Sequence, residues 1–252
     1  MVKLLSIVLV LLVASATARA EEFSPFRRSL SDQPHGVTTV RGSRRGSVQR
    51  FEVRPGDCTS HDCYRDRERS ELGEEDASSR VGDEYWYEFS FYLPKDFPNI
   101  YPAKTALGQF HQKGVTSPPV LFQYGIPQGS NTSSYYLDLN QTKIGHFPLI
   151  SERSLRERWQ NIRVHARWSM AADGLIRVYV NGRLAADVVG PNTTYANPIY
   201  FKYGVYRSFL SRYKSAYGSS EVPAQSALFR SVRKSKTMRG LLGTASGHRQ
   251  LN

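Results

Sequence analysis

The sequence predicts an all-β protein, a β-jelly-roll sandwich, on three observations. Segment after segment alternates apolar and polar residues with a period of two, turn signals separate the segments, and hardly any stretch carries a helical period. The alternation starts at Asp83 to Leu93, where Tyr85, Tyr87, Phe89 and Phe91 face one way and Trp86, Glu88, Ser90 and Tyr92 the other, up to Pro94. Short strands are expected at Val120 to Tyr124 and Tyr135 to Leu139. The stretch Ser151 to Trp159 is the one helical candidate. Ile162, Val164, Ala166 and Trp168 then alternate with Arg163, His165 and Arg167, giving one buried and one wet face. Trp159 and Trp168 are assigned to the core and His165 to the outer face. Leu175 to Val180 follows, and Asn181-Gly182 is a hairpin signal.

The ends differ from this middle. Lys3, the apolar run Leu4 to Val13 and the Ala18-Arg19-Ala20 end read as a secretory signal over residues 1–20, too short to span a bilayer. Residues 21–50 are rich in Arg, Ser and Gly and are expected to be a flexible lead-in, and residues 230–252 a disordered basic tail. The folded domain is thus placed at 51–229. Of the net charge of +12, residues 230–252 hold +6 and residues 51–229 only +1. The domain is therefore balanced, no nucleic-acid partner is expected, and any anionic substrate must be held by local placement of charge. Cys58 and Cys63 fit an exported chain and are close enough to form a local disulfide. Asn131, Asn140 and Asn192 head Asn-x-Ser/Thr sequons, which matter only in a eukaryotic host.

Three segments place polar side chains on one strand face. Arg69 and Glu71 share a face in Arg67 to Leu72, and Gln109 and His111 share one in Leu107 to Gln112. In Tyr200 to Arg207 the shared face carries Tyr200, Lys202 and Tyr206, with Gly204 as a gap through which a ligand can come close. Side by side in one sheet, these faces make a groove of Arg, Gln, His, Lys and Tyr. That set suits β-elimination on a uronic acid polymer. Arg, Gln and Lys neutralise the carboxylate so that the C5 proton becomes acidic, a His or Tyr removes it, and a Tyr protonates the leaving oxygen. Lys202 and Arg69 are expected to lower the Tyr pKa toward a phenolate. No metal or other cofactor is required. A hydrolase needs two carboxylates flanking the bond, and Glu71 is the only one on these faces. A lectin-like, non-catalytic carbohydrate-binding protein of the same fold is the alternative.

The ordered triple Arg69-Ser70-Glu71-Leu72, Gln109-Phe110-His111 and Tyr200-Phe201-Lys202-Tyr203-Gly204-Val205-Tyr206 resembles the motifs of the jelly-roll polysaccharide lyases, of concanavalin A-like fold. These include alginate lyases, glucuronan lyases and heparin lyase I-like enzymes. The resemblance implies that Arg69 and Gln109 bind the carboxylate and that His111 neutralises it or acts as base. It makes Tyr206 the acid, or acid and base together. Lys202, Tyr200 and Glu71 complete the expected substrate-binding set, Lys202 by supporting the cleft and Glu71 by holding Arg69 in place. Gly73 stands where alginate lyases commonly carry Arg, and Tyr203 where they often have Ala, while the Cys58–Cys63 segment is closer to the glucuronan and heparin group. The implied substrate is an acidic polysaccharide, glucuronan ahead of alginate.

Overall fold

The computed structural model describes residues 23–30, 32–43 and 46–243. Two seven-stranded antiparallel sheets stack face to face. The front sheet runs β1 (Phe26–Arg28), β4 (Arg67–Glu74), β13 (Ile199–Ser208), β6 (Lys104–Gln112), β7 (Val120–Gly125), β8 (Ser134–Asp138), β9 (His146–Ser151). The back sheet runs β12 (Arg183–Val189), β11 (Leu175–Val180), β10 (Trp159–Arg167), β5 (Glu84–Tyr92), β14 (Gln225–Ser235), β3 (Gly46–Val53), β2 (Val37–Ser43). Runs of consecutive strands (β6 to β9, β10 to β12, β2 with β3) are joined by pairings distant in sequence, such as β4 with β13 and β5 with β14. Three short helices, α1 (Ser60–Tyr64), α2 (Leu210–Tyr217) and α3 (Met238–Gly243), decorate the edges. Among the described residues, no helix is long and apolar enough to cross a membrane.

The period-two pattern builds the core. Phe89 and Phe91 of β5 and Phe229 of β14 meet Phe110, Phe122 and Phe201 of the front sheet, all essentially solvent-free. Their rings meet edge to face or tilted, as between Phe89 and Phe122 at 5.6 Å and Phe110 and Phe201 at 4.9 Å. Trp168 is fully buried, and its indole N–H donates to the Tyr87 hydroxyl at 2.9 Å. Trp159 is only half-buried, with the Arg230 guanidinium 3.8 Å above its ring. His165 lies on the outer face as expected, stacked on Trp86 and 2.7 Å from Glu84.

Several expectations need correction. The signal segment 1–20 lies outside the described residues, but the described part of 21–50 is not a loose lead-in. It supplies β1, β2 and the start of β3, and Phe23 stacks on Phe201 at 5.5 Å. Nor is the start of the basic tail free. Strand β14 continues to Ser235 and α3 follows. Arg233 pairs with Glu88, which Arg163 also binds at 2.9 Å, and the Lys234 ammonium donates to the Ser78 carbonyl at 2.7 Å. Much of the flanking charge is thus built into the back sheet. Ser151 to Trp159 holds only a single 3-10 turn at Glu152–Ser154, between β9 and β10. Asn192 is buried, donates to the carbonyls of Arg167 and Leu175, and accepts from the Ser169 N–H. It has no room for a glycan.

Gly204 also has a different role from the one expected. A β-bulge interrupts the pairing of β13 with β6 between Tyr203 and Tyr206, and Gly204 sits in it with φ of 129°. A Cβ there would come within 2.7 Å of the Phe51 ring and nearer still to the Ser70 carbonyl oxygen. The missing side chain therefore relieves the core side of the strand and does not open the groove. Gly204→Ala is expected to lower stability by about 3 kcal/mol or more, from backbone strain plus overpacking. Chemical denaturation measures this, and a loss below about 0.5 kcal/mol contradicts the assignment.

Candidate active site

The three polar segments are adjacent strands of the front sheet. Register places Tyr206 opposite Arg69, Gly204 opposite Glu71, Lys202 opposite Gln109 and Tyr200 opposite His111. Alternation aims Arg69, Glu71, Gln109, His111, Lys202 and Tyr206 to the outer face of the front sheet, over which a cleft of about 300 Å³ opens.

Only four of these six residues reach the cleft surface. Arg69, Gln109, His111 and Tyr206 line the cleft. Glu71 and Lys202, expected in the substrate-binding set, are not among the lining residues and are buried, as Gln109 and Arg69 also are. Glu71 accepts from Lys202 Nζ at 2.9 Å and Arg69 Nη1 at 3.1 Å through one oxygen, and from Gln109 Nε2 at 2.6 Å through the other. Burial acts to raise the Glu71 pKa, but Lys202 and Arg69 outweigh it and hold the carboxyl below its ordinary value. Burial is also the main influence on Lys202 and lowers its pKa. Tyr200 is not in the cleft wall either. Its ring stacks beside His111, centroids 5.3 Å apart.

Sequence reasoning missed a second carboxylate. Helix α1 sits inside the loop closed by the Cys58–Cys63 disulfide, whose Cα atoms are 5.3 Å apart. It presents Asp62, fully buried, to Arg69 in a two-pronged pair, with Nε to Oδ2 at 2.6 Å and Nη2 to Oδ1 at 2.7 Å. Nothing in the local sequence points Asp62 at a residue on another strand. Asp62 and Glu71 together take three of the five Arg69 N–H groups and leave two for the cleft. The cluster of Asp62, Arg69, Glu71 and Lys202 is electrically balanced.

His111 and Tyr206 stand in the cleft in complementary states. The Nδ1 of His111 lies 3.0 Å from the Gln112 carbonyl oxygen. A carbonyl only accepts, so Nδ1 carries the proton, and in the neutral ring Nε2 keeps its lone pair. Burial, opposed by that hydrogen bond, lowers the His111 pKa and keeps the ring neutral. For Tyr206, burial is again the main influence and raises the pKa, with Arg67 and Arg69 only partly offsetting it. The expected phenolate is thus corrected. The Arg69 guanidinium sits 4.6 Å from the Tyr206 ring centroid and pulls toward the phenolate, but burial outweighs it.

Around this floor the cleft wall carries Arg65, Arg67 and Lys104 as well as Gln123 and Asp138 of β7 and β8. Arg67 was legible, since it is two residues from Arg69 on the same strand. Lys104 and the β7–β8 pair gave no signal, because the sheet order that brings them here is not local.

Comparison with known proteins follows this geometry. A family model described as polysaccharide lyase matches residues 18–229. An endo-β-1,4-glucuronan lyase from the fungus Trichoderma reesei superposes with a TM-score of 0.62 at 17% identity, covering 87% of this chain and 93% of that one. A marine alginate lyase from Zobellia galactanivorans gives 0.56 at 16% identity, covering 87% and 96%. An alginate lyase from Pseudomonas aeruginosa gives 0.52 at 21% identity, covering 78% and 85%. At such identities the likeness is one of fold. No curated protein matches the chain.

Removing Glu71 tests the floor. Glu71→Gln leaves Arg69 and Lys202 short of a buried partner and is expected to lower stability by about 3–5 kcal/mol at pH 7. A carboxyl whose folded pKa is depressed stabilises above its unfolded pKa, and that contribution is lost as pH falls through the folded value. The gap between wild type and variant should therefore narrow as pH drops below the ordinary carboxylate range. Denaturation midpoints across pH measure it, and a pH-independent gap refutes it.

Proposed function

The chain belongs to the polysaccharide lyase family, and we propose that it cleaves a uronic-acid polymer by β-elimination, with His111 as base and Tyr206 as acid. The observation that carries this reading is that His111, its Nδ1 bonded to the Gln112 carbonyl, and Tyr206 line one cleft with Arg69 and Gln109, where burial favours the neutral form of both. The two remaining Arg69 N–H groups and the Gln109 amide bind the substrate carboxylate and drain charge from C5. His111 Nε2 takes the C5 proton. The electrons form the C4–C5 double bond, the C4–O bond breaks, and the Tyr206 hydroxyl protonates the departing oxygen. Water then returns the proton to Tyr206 and takes the one on His111.

An acidic polysaccharide also suits the wall, where Arg65, Arg67 and Lys104 meet the cleft. Glucuronan is the first substrate to test and alginate the second, since the similar structures include a glucuronan lyase and alginate lyases. The signal-like residues 1–20 and the disulfide support a secreted enzyme.

Only elimination creates a conjugated 4,5-unsaturated uronate, so absorbance at 235 nm on a panel of glucuronan, alginate, heparin and pectate decides reaction and substrate together. Binding without an absorbance rise on any of them supports the lectin-like alternative. Tyr206→Phe and His111→Asn are each expected to cut turnover by about 10²–10⁴ while binding survives. A folded Tyr206→Phe variant of near-native turnover rules the mechanism out, and a much smaller cost for His111→Asn returns the base role to Tyr206. The acid limb of the kcat/KM profile is expected below the ordinary histidine value and the alkaline limb above the ordinary tyrosine value.

A further inference from the structure

Two residues past Tyr206 on β13 is Ser208, opposite Lys104 on β6, and the chain then turns into α2 through Phe209. Phe209 takes a left-handed conformation, φ 58°, which a bulky residue adopts at a cost. That cost is not returned by burial, because the ring is 43% exposed and lines the cleft. Two cations flank it. The Arg212 guanidinium carbon is 4.1 Å from the ring centroid and the Lys104 ammonium 5.9 Å. Among the described residues neither forms an ion pair with a carboxylate. Lys104 borders both the cleft and a second pocket of about 300 Å³, which Arg212 lines together with Tyr101, Tyr136 and His146. Tyr101 is itself 43% exposed.

We propose that Phe209, Lys104 and Arg212 form a binding subsite for a further uronate unit of the same polymer, beside Tyr206 and leading into the second pocket. This rests on the polyuronate reading above. An exposed ring offers a face for the C–H side of a sugar, and two cations without acidic partners offer a seat for its carboxylate. A neutral sugar would leave both charges unused. The strained backbone at Phe209 is then what turns the ring toward the groove instead of into the core.

The test uses Phe209→Gly and Arg212→Ala in the full-length protein, with glucuronan or, if the panel selects it, alginate as the probe. Retention in affinity electrophoresis reports binding without turnover, and the rise at 235 nm reports KM and kcat. Each variant is expected to weaken retention and raise KM by about tenfold, with kcat within about twofold of wild type. Glycine accepts a positive φ freely, so Phe209→Gly should melt no lower than wild type, which separates the missing ring from a folding defect. On the same polymer with its carboxyls reduced to alcohols, Arg212→Ala and wild type should be retained equally. A stable Phe209→Gly of wild-type retention and KM overturns the subsite, as does a fall in kcat with KM unchanged. If the wild type raises no absorbance at 235 nm on any polyuronate, the lyase reading falls, and retention of the variants alone decides the subsite.

Discussion

Two carboxylates and two cations must share a dry floor under the cleft, and the rest of the site depends on their balance. Any one of Asp62, Arg69, Glu71 and Lys202 would be costly to bury alone. Together they cancel, with every contact between them at 2.6 to 3.1 Å. The four come from three elements, α1, β4 and β13, and Gln109 ties in β6. Charge balance therefore fixes where these elements stand relative to one another. The disulfide belongs to the same device, since it closes the loop that brings Asp62 under Arg69.

The fold leaves that floor in place by keeping the other side of the same strands apolar. Phe110 and Phe201 alternate with Gln109, His111 and Lys202, so each strand is core on one face and chemistry on the other. The bulge at Gly204 adjusts this arrangement. It keeps β13 in unbroken register with β4, Tyr206 opposite Arg69, while the pairing with β6 slips, at a position where a side chain would strike Phe51. Rigid packing beneath and a balanced floor above hold His111 and Tyr206 in place.

Much of this was legible in the chain. Alternation named the front-sheet residues on β4, β6 and β13, and the order of their motifs named the fold. Alternation gives a face but not a depth. Glu71 and Lys202 share the face of Arg69 and Tyr206, yet they bond each other beneath it and do not line the cleft. Asp62 was invisible because its partner is seven residues on and in a different element. The flanks were misread for a compositional reason. Arg-rich segments look solvated, but Arg233 and Lys234 spend their charge on Glu88 and Ser78 within the back sheet, and Phe23 and Phe26 anchor an otherwise polar lead-in against the core.

Burial also sets the protonation states in the cleft. Burial is the largest influence on both His111 and Tyr206, and it moves them in opposite directions because one is charged when protonated and the other when deprotonated. One dry surface thus favours a neutral His111 and a protonated Tyr206, without a charged partner dedicated to either. The balanced floor is a condition for this. A net positive charge there would pull the Tyr206 pKa down toward a phenolate, and a net negative one would raise the His111 pKa and charge the ring. Cations beyond the balanced floor must then stand at the rim, where water screens them from His111 and Tyr206, and Arg65 and Lys104, both more exposed than Arg69, occupy that position.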